Sequence, residues 1–381
     1  MNGETSKATR RHFLRSSAVS ATGVALGINP LAAAEAESAT AKPSRTLVSR
    51  PATITAVSYP PLPREEPDRL NKTLARMGEY VDQAARLRSD LIAFPETCNH
   101  YAEGRPLGAG QHLSHNPQFP HKYTDGESLD GPTVTAMSRK AAEKKIYVVC
   151  PLHTVENGTL YNSSVLLGRD GKIVGVYHKN FPTIREIDSG ITPGTQTPVF
   201  KTDFGRVGLS VCFDLNYWEV GSGLCANEAE LVIWSSMWDG ARMLTRWAIE
   251  FGFYMAASYF GSATIVDVCG REITSMTHNV YDRTSGAAPP MITAQIDMDR
   301  RLLHHDYNLA KLKPIYEKYG ADSIYAEWIP QECIVIFGSQ MPGVSSDDLI
   351  REFQLEPMRA YLARSRRARK QAVETYQTQK S

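Results

Sequence analysis

The most informative stretch of this chain is residues 205–219, GRVGLSVCFDLNYWE. The apolar run from Val207 to Val211 is typical of a buried strand, and the polar residues after Cys212 indicate a turn. A cysteine at the end of a buried strand has its sulfur on a rigid support at the rim of a sheet, which suits a nucleophile. A buried cysteine on its own is more often a small hydrophobic core residue, so a chemical role for Cys212 needs support from other residues.

Two further strands end in an ionisable residue. Residues 90–96, DLIAFPE, are closed by a proline and Glu96, and residues 172–179, KIVGVYHK, end in Lys179. A carboxylate, an ammonium group and a thiol are the groups needed to activate a nucleophile and to stabilise an oxyanion. Each charged strand end alone is most simply a solvated terminus, but the three together predict an active site.

These three segments resemble the motifs of the nitrilase superfamily of carbon–nitrogen hydrolases. Phe94-Pro95-Glu96 is similar to the glutamate motif of that family, and Tyr177-His178-Lys179 is similar to its lysine motif. Residues 208–214, GLSVCFD, followed by Glu219, are similar to its cysteine motif. The resemblance places the three motifs in the family's order.

The resemblance covers the chain from about residue 52 to residue 297. It includes residues 160–163, LYNS, before the lysine strand and residues 246–250, RWAIE, beyond the cysteine. Family members carry a second glutamate several residues after the lysine. Glu186, seven positions after Lys179, is the candidate, with Asp188 close by.

The resemblance implies a role for each of these side chains. Glu96 is expected to act as the general base that takes the Cys212 proton, because a free thiol with a pKa of about 8.5 is mostly protonated at neutral pH. Lys179 is expected to favour the thiolate and, with the backbone N–H of Phe213, to stabilise the oxyanion. Glu186 is expected to hold Lys179 or the substrate nitrogen in position. No cofactor or metal is implied, and the sequence offers no convincing ligand cluster.

The residues after the cysteine bear on the substrate. Nitrilases of this family usually place tryptophan and glutamate there, whereas this chain has Phe213-Asp214, which resembles the amidase and carbamoylase branches. We therefore predict a hydrolase that cleaves an amide or N-carbamoyl bond through a cysteine thioester and releases ammonia or an amine. Three alternatives stay open: a nitrilase, an N-acyltransferase that uses the same thioester, and a non-catalytic scaffold.

The order of strands and helices predicts an α/β fold with two sheets faced by helices. The resemblance sharpens this prediction to a four-layer α-β-β-α sandwich that pairs with a second copy through a helical face. Asp170-Gly171 predicts a hairpin turn before the lysine strand. The predicted helices include one with an apolar face from Leu70 to Ala84, 132–144 and 241–257; the other predicted strands are 52–57, 146–150, 161–168, 231–234, 259–267 and 291–297.

The chain divides by composition into four segments. Residues 1–36 resemble a twin-arginine signal peptide, with Arg10-Arg11, an apolar stretch from Ala18 to Ile28, and a cleavage site near Ala34 or Ala36. Residues 37–50 are predicted to be a linker, 51–344 the hydrolase domain, and 345–381 a helical tail. A loop from about residue 98 to residue 130 is long enough to act as a lid or pocket wall.

The expected location and partners follow from these segments. The signal predicts export to the periplasm or the cell exterior, with no membrane anchor after cleavage. The formal net charge of +1 gives no reason to expect nucleic acid as a partner. We expect a small amide-type substrate and a homodimer or larger homo-oligomer. The basic tail around residues 364–370 is either a solvated helix or a helix that wraps a dimer partner.

Overall fold

A computed structural model describes residues 49–59, 62, 66–99, 126–277 and 290–380. The predicted signal peptide, nearly all of the predicted linker and most of the predicted lid loop lie outside these residues. The elements are β1 (Pro51–Val57), α1 (Arg69–Arg86), β2 (Leu91–Ala93), α2 (Pro132–Lys144), β3 (Tyr147–Glu156), β4 (Thr159–Leu167), β5 (Ile173–His178), α3 (Ile184–Asp188), β6 (Val199–Lys201), β7 (Arg206–Val211), α4 (Trp218–Ala226), β8 (Leu231–Ser236), α5 (Arg242–Phe251), β9 (Tyr254–Tyr259), β10 (Ser262–Val266), β11 (Glu272–Thr277), β12 (Met291–Asp297), β13 (Arg301–His304), α6 (His305–Tyr319), β14 (Ile324–Ile329), β15 (Ile334–Ser339), α7 (Ser346–Glu352) and α8 (Met358–Lys380).

The first sheet has the strand order β12-β1-β2-β3-β4-β5. Strands β1, β2 and β3 are parallel, and the outer strands pair antiparallel. Its outer face is covered by α1 and α2, whose Met77, Val81 and Met137 pack on Ile92 and Val148. Helix α1 forms as predicted because its apolar residues recur every three or four positions, which places them on one face.

The second sheet repeats this arrangement with the order β11-β10-β9-β8-β7-β6. Strands β7, β8 and β9 are parallel, and helices α4 and α5 cover the outer face. Leu224 from α4 and Trp247 from α5 pack there against Val232 and Met255.

The two sheets face each other across the largest apolar core. Ile54, Leu91 and Val149 of the first sheet pack in one cluster with Leu209 and Ile233 of the second sheet. The α-β-β-α sandwich predicted from the sequence is therefore confirmed.

A third sheet, which the sequence analysis did not predict, follows the sandwich in the chain. Its order is β13-β15-β14, and it carries a separate small core with α6 and α7 that includes Leu303, Phe337 and Leu349. Helices α7 and α8 agree with the helical pattern of the tail. In the described part of the chain, no helix combines the length and apolarity needed to cross a bilayer.

Two of the predicted elements are wrong in extent. The predicted helix 241–257 ends at Phe251, because Gly252 adopts a left-handed conformation with φ +68° and its N–H caps the helix on Ala248 O. Residues from Tyr254 instead form β9. The predicted strand 259–267 is shorter in the structure, where β10 covers Ser262–Val266 and pairs antiparallel with β9, the strand that ends at Tyr259.

Candidate active site

The three strand ends singled out in the sequence meet at one edge of the sandwich. Glu96 lies three residues beyond β2, Lys179 directly follows β5, and Cys212 directly follows β7. Strands β2 and β5 run in the same direction, so their carboxyl ends share an edge of the first sheet. All three side chains are buried.

Glu186 joins the same cluster. The Lys179 Nζ donates to Glu96 Oε1 at 2.9 Å and to the two Glu186 carboxylate oxygens at 3.0 and 2.9 Å. Lys179 is only 1% exposed, and a charge buried this deeply is stable only when paired. The two carboxylates keep the lysine charged, and they raise its pKa well above the usual value even though burial acts in the opposite direction.

Helix α3 fixes the Glu186 carboxylate. Thr183 Oγ1 accepts from the Glu186 N–H at 3.3 Å, and Glu186 Oε2 accepts from the Thr183 N–H at 2.7 Å, which forms a capping box. Burial acts to raise the pKa of Glu186, but Lys179 and the neighbouring hydrogen bonds outweigh it and leave that pKa low. Glu186 is therefore an anion at neutral pH.

A fourth side chain, Asn162 of β4, completes the cluster. Its Nδ2 donates to Glu96 Oε1 at 2.7 Å and to Glu186 Oε1 at 2.8 Å. Glu96 Oε2 is buried and has no hydrogen-bond partner among the described residues. One oxygen of Glu96 is therefore held by two donors, and the other is left available.

Cys212 has an unusual backbone conformation. Its φ is +46°, a region that non-glycine residues rarely adopt and that is associated with functional sites. The Trp234 indole donates to the Cys212 carbonyl at 3.0 Å, and the Met237 N–H and the Ser236 hydroxyl act to lower the pKa of the thiol. The residue is 8% exposed, and its sulfur sits at the end of a rigid parallel strand.

The surroundings of Cys212 keep its thiol protonated at rest. Burial, followed by the negative charge of Glu96, raises the pKa of Cys212 to about 12, and Lys179 opposes this shift only in part. Glu96, Glu186 and Lys179 together carry a net charge of −1, so a thiolate would add a second uncompensated charge. Moving the thiol proton to Glu96 keeps the net charge unchanged. The site therefore favours a direct proton transfer over ionisation to solvent.

Asp214 links the turn after β7, which contains Cys212, to strand β5, which leads to Lys179. Its carboxylate is fully buried and accepts from the Tyr177 hydroxyl at 2.7 Å, the Val211 N–H at 2.9 Å and the Phe181 N–H at 2.8 Å. Tyr177 is on the first sheet and Val211 is on the second. This one carboxylate therefore fixes the distance between the two sheets beside the site.

Four residues of this region were predicted from the sequence, and three others were not. Glu96, Lys179, Cys212 and Glu186 are brought together as expected. Asn162 and Asp214 stood inside the quoted motifs without a role, and Ser236 was not singled out. A polar side chain within a strand otherwise buried on both faces was the available signal for Asn162.

Comparisons with known proteins identify the family. Residues 53–300 match the model of the carbon-nitrogen hydrolase family, which is well over half of the chain. The chain belongs to that family. It is thereby a member of the nitrilase superfamily, as the motifs indicated, and the match contains all of Glu96, Lys179, Glu186 and Cys212.

Relatives of this family member are distant in sequence. It is 28% identical over 206 residues to a bifunctional nitrilase/nitrile hydratase from Oryza sativa subsp. japonica, an alignment that covers 49% of this chain and 56% of the rice protein. It is 24% identical over 288 residues to a hydrolase from Schizosaccharomyces pombe, which covers 68% of this chain and 80% of that protein. The chain thus spans little more than half the length of the rice relative.

Solved structures show the same fold. A carbon-nitrogen hydrolase from Helicobacter pylori G27 is 18% identical, with a TM-score of 0.51 over 71% of this chain and 94% of the other. A Saccharomyces cerevisiae member of branch 10 of the nitrilase superfamily is 19% identical, with a TM-score of 0.51 over 67% of this chain and 92% of the other. These similarities show that the carbon–nitrogen hydrolase fold is shared.

Proposed function

We propose that this protein hydrolyses a non-peptide carbon–nitrogen bond, in an amide or an N-carbamoyl compound, through a thioester on Cys212. The observation that supports this most directly is the buried cluster of Glu96, Lys179 and Glu186, in which the charges of Glu96 and Lys179 act on the Cys212 thiol. One carboxylate oxygen in that cluster, Glu96 Oε2, is left without a hydrogen bond among the described residues, as a proton acceptor requires.

In the first half of the reaction, the Cys212 sulfur attacks the carbonyl carbon while its proton moves to Glu96. The carbonyl oxygen becomes an oxyanion, which the positive charge of Lys179 and the backbone N–H of Phe213 stabilise. When the tetrahedral intermediate collapses, the carbon–nitrogen bond breaks and Glu96 gives the proton to the departing nitrogen. Ammonia or an amine leaves, and the acyl group stays on the sulfur as a thioester.

In the second half, water attacks the thioester carbon and its proton moves to the same carboxylate. Collapse of the second intermediate breaks the carbon–sulfur bond, and Glu96 returns the proton to the sulfur. The acid is released and the resting thiol is restored. Glu186 takes no proton in this scheme, because its role is to hold Lys179.

An amide or N-carbamoyl substrate is proposed over a nitrile because Phe213-Asp214 follows the nucleophile in this chain. Asp214 has a structural task at this position, since it accepts three hydrogen bonds across the two sheets. The nitrile alternative is supported by the rice relative, whose name describes a nitrilase and nitrile hydratase. An acyltransferase would use the same thioester with an amine in place of water.

Product release from a substrate panel tests the proposal. Wild type is expected to release ammonia or amine from simple amides or carbamoyl amino acids, and Cys212→Ala is expected to release none. Intact mass spectrometry of Cys212→Ser should reveal a trapped acyl adduct, which reports the acyl group directly. Absence of ammonia, amine and adduct across amides, carbamoyl compounds and nitriles would contradict a hydrolase. Hydroxylamine competition would then detect acyl transfer.

We also propose that the protein is exported and forms a homodimer or larger homo-oligomer. Export is supported by the resemblance of residues 1–36 to a twin-arginine signal. Replacement of Arg10 and Arg11 by lysine should retain the protein inside the producing cell, as measured by fractionation. Sedimentation of the purified protein should give at least twice the monomer mass, and a monomer at micromolar concentration would refute the assembly.

A further inference from the structure

Two like-charged carboxylates in the cluster are bridged by one neutral amide. The Asn162 Nδ2 contacts Glu96 Oε1 and Glu186 Oε1 at 2.7 and 2.8 Å, and the Lys179 Nζ contacts the same two oxygens at 2.9 and 3.0 Å. The four groups form a closed ring in which two donors alternate with two acceptors.

The chemistry of the ring fixes the orientation of the Asn162 amide. Carboxylates only accept hydrogen bonds, so the NH₂ group and not the carbonyl oxygen must face them. Each of its two hydrogens serves one glutamate. Asn162 is 1% exposed, and its backbone carbonyl also contacts the lysine segment, because the Lys179 N–H donates to the backbone oxygen of Asn162 at 2.8 Å. One residue thus positions both the lysine backbone and the two glutamates.

The ring makes the two oxygens of Glu96 unequal. Oε1 accepts from both Asn162 and Lys179, whereas Oε2 is buried and has no partner among the described residues. Hydrogen bonds to a carboxylate oxygen stabilise its negative charge and make that oxygen a poorer proton acceptor. Without the amide, the Glu96 carboxylate could rotate about its terminal bond and present either oxygen to Lys179.

We infer that Asn162 is a positioning residue that fixes Glu96 Oε2 as the oxygen that accepts the Cys212 proton. This inference rests on the proposed function of Glu96 as the base. Asn162 supplies two polarised N–H groups without adding charge, so it holds the two carboxylates near each other while the cluster keeps its net charge of −1. A lysine at position 162 would instead add a positive charge and bring the net charge of the cluster to zero.

The inference is tested with Asn162→Ala and Asn162→Asp. Ser163→Ala is the matched control, because Ser163 is the next residue of β4, is equally buried, and bonds to Thr154 and His178 instead of the glutamates. Asn162→Ala is expected to lower kcat/KM by about 10²-fold, the scale of a misplaced catalytic group, mostly through kcat. Ser163→Ala is expected to stay within about threefold of wild type.

The pH dependence separates positioning from a general packing defect. Asn162 is one of the groups that hold the pKa of Glu186 down, so its loss should move the acidic limb of the rate profile to higher pH. The activity of Asn162→Ala relative to wild type should therefore fall as the pH is lowered. Asn162→Asp should show the opposite trend, with relative activity rising at least fivefold from pH 8 to pH 5, because a protonated Asp regains one donor.

Ratios that do not change with pH in either variant, or an equal loss in Ser163→Ala, would overturn the inference. If wild type hydrolyses nothing in the panel, the proposed function fails, and iodoacetamide alkylation of Cys212 becomes the readout. Asn162→Asp should then react more slowly than wild type at pH 8 and approach it as the pH falls. Identical alkylation profiles would refute the coupling of Asn162 to the carboxylate that acts on the thiol.

Discussion

Cys212 combines a strained backbone with a thiol that is hard to ionise. A positive φ at a non-glycine residue costs on the order of 1 kcal/mol or more, and the bond from Trp234 to the Cys212 carbonyl helps to hold this conformation. The raised pKa means that this cysteine is not a pre-formed thiolate. Its reactivity must depend on a base in contact with it, which is the task proposed for Glu96.

Glu96→Gln should separate thiol ionisation from catalysis. The Glu96 charge raises the pKa of Cys212, so its removal should lower that pKa and speed alkylation by iodoacetamide at pH 8 by about tenfold or more. Hydrolysis should fall by about 10²- to 10⁴-fold because the base is lost. Glu186→Gln is the control, because it removes the other carboxylate that pairs with Lys179. An unchanged alkylation rate in Glu96→Gln would show that the Glu96 charge does not act on the sulfur.

Two adjacent buried serines allow a second test at the cysteine. The Ser236 hydroxyl lowers the pKa of the Cys212 thiol, whereas Ser235 donates to the Phe94 carbonyl at 2.8 Å. Ser236→Ala should therefore slow alkylation of Cys212 by several-fold at fixed pH. Ser235→Ala should leave the alkylation rate near that of wild type. Equal effects of the two substitutions would mean that the hydroxyl of Ser236 has no special contact with the sulfur.

The turn after β7 depends on Asp214. Burial raises the pKa of Asp214 to about 6, even though hydrogen bonds from Tyr177, Val211 and Phe181 act in the opposite direction. An acid with a raised pKa in the folded state binds its proton more tightly there than in the unfolded chain. Its contribution to stability is therefore complete below about pH 4 and is lost as the pH rises through about 6.

Asp214→Asn removes this titration. The difference in unfolding free energy between wild type and Asp214→Asn should shift in favour of the variant by about 3 kcal/mol between pH 4 and pH 7. Urea unfolding at a series of pH values measures it. Tyr177→Phe, which deletes one donor to Asp214, should move the transition to higher pH. A pH-independent difference would mean that Asp214 is solvated like an ordinary surface carboxylate.

At the level of elements, sequence patterns predicted the sandwich but not every boundary. The parallel strands at the centre of each sheet are apolar runs. Strands β1, β7 and β8 were therefore predicted at nearly their full length. The helix predicted to reach 257 continued an apolar pattern that a buried strand shares, and only Gly252 marks the boundary. The edge strands β6 and β11 and the third sheet were missed, because short or half-exposed strands have weak periodicity.

The residues of the candidate site that follow directly on strands could be predicted from the sequence. Glu96, Lys179 and Cys212 each follow an apolar run, so their approach follows from the topology of the two sheets. Asn162 lies inside β4, opposite His153 on β3, and its reach to the glutamates depends on strand register. Glu96 lies 66 residues before Asn162, and the sheet order and register that bring the two together are not revealed by a single sequence.

At the scale of the whole molecule, the two similar sheets pack closely against each other. At the edge where β5 meets β6, a methyl group on Gly175 would lie 2.0 Å from the Phe200 ring, so only glycine fits there. This contact and the Asp214 bonds both lie between strands that lead into the site. The packing of one sheet on the other therefore sets the geometry of Lys179 relative to Cys212.

The third sheet and α7 are anchored to the sandwich by buried charges. The Arg301 guanidinium donates to Glu230 at 2.9 Å and to both oxygens of Asp347 at 3.0 and 2.9 Å. Asp299 accepts from the Ser346 N–H and hydroxyl at 2.8 and 2.7 Å. Arg301 and Glu230 are both buried, so removing either one typically costs about 3–5 kcal/mol, whereas the Asp347 side chain is 43% exposed and its loss costs less.

These contacts predict opposite outcomes for two deletions of the tail. Ending the chain after Val344 removes Asp347, Leu349 and Leu355, leaves Arg301 with one carboxylate and opens the small core, so Tm should fall by about 5 °C or more. Ending it after Ala363 removes part of α8 in which residues 364–379 are all exposed and in which Arg366, Arg367, Arg369 and Lys370 repel one another at helical spacing. That deletion should change Tm by less than about 2 °C in differential scanning calorimetry. A large loss of Tm from the shorter deletion, accompanied by a fall in sedimentation mass, would instead indicate that α8 packs on a second copy.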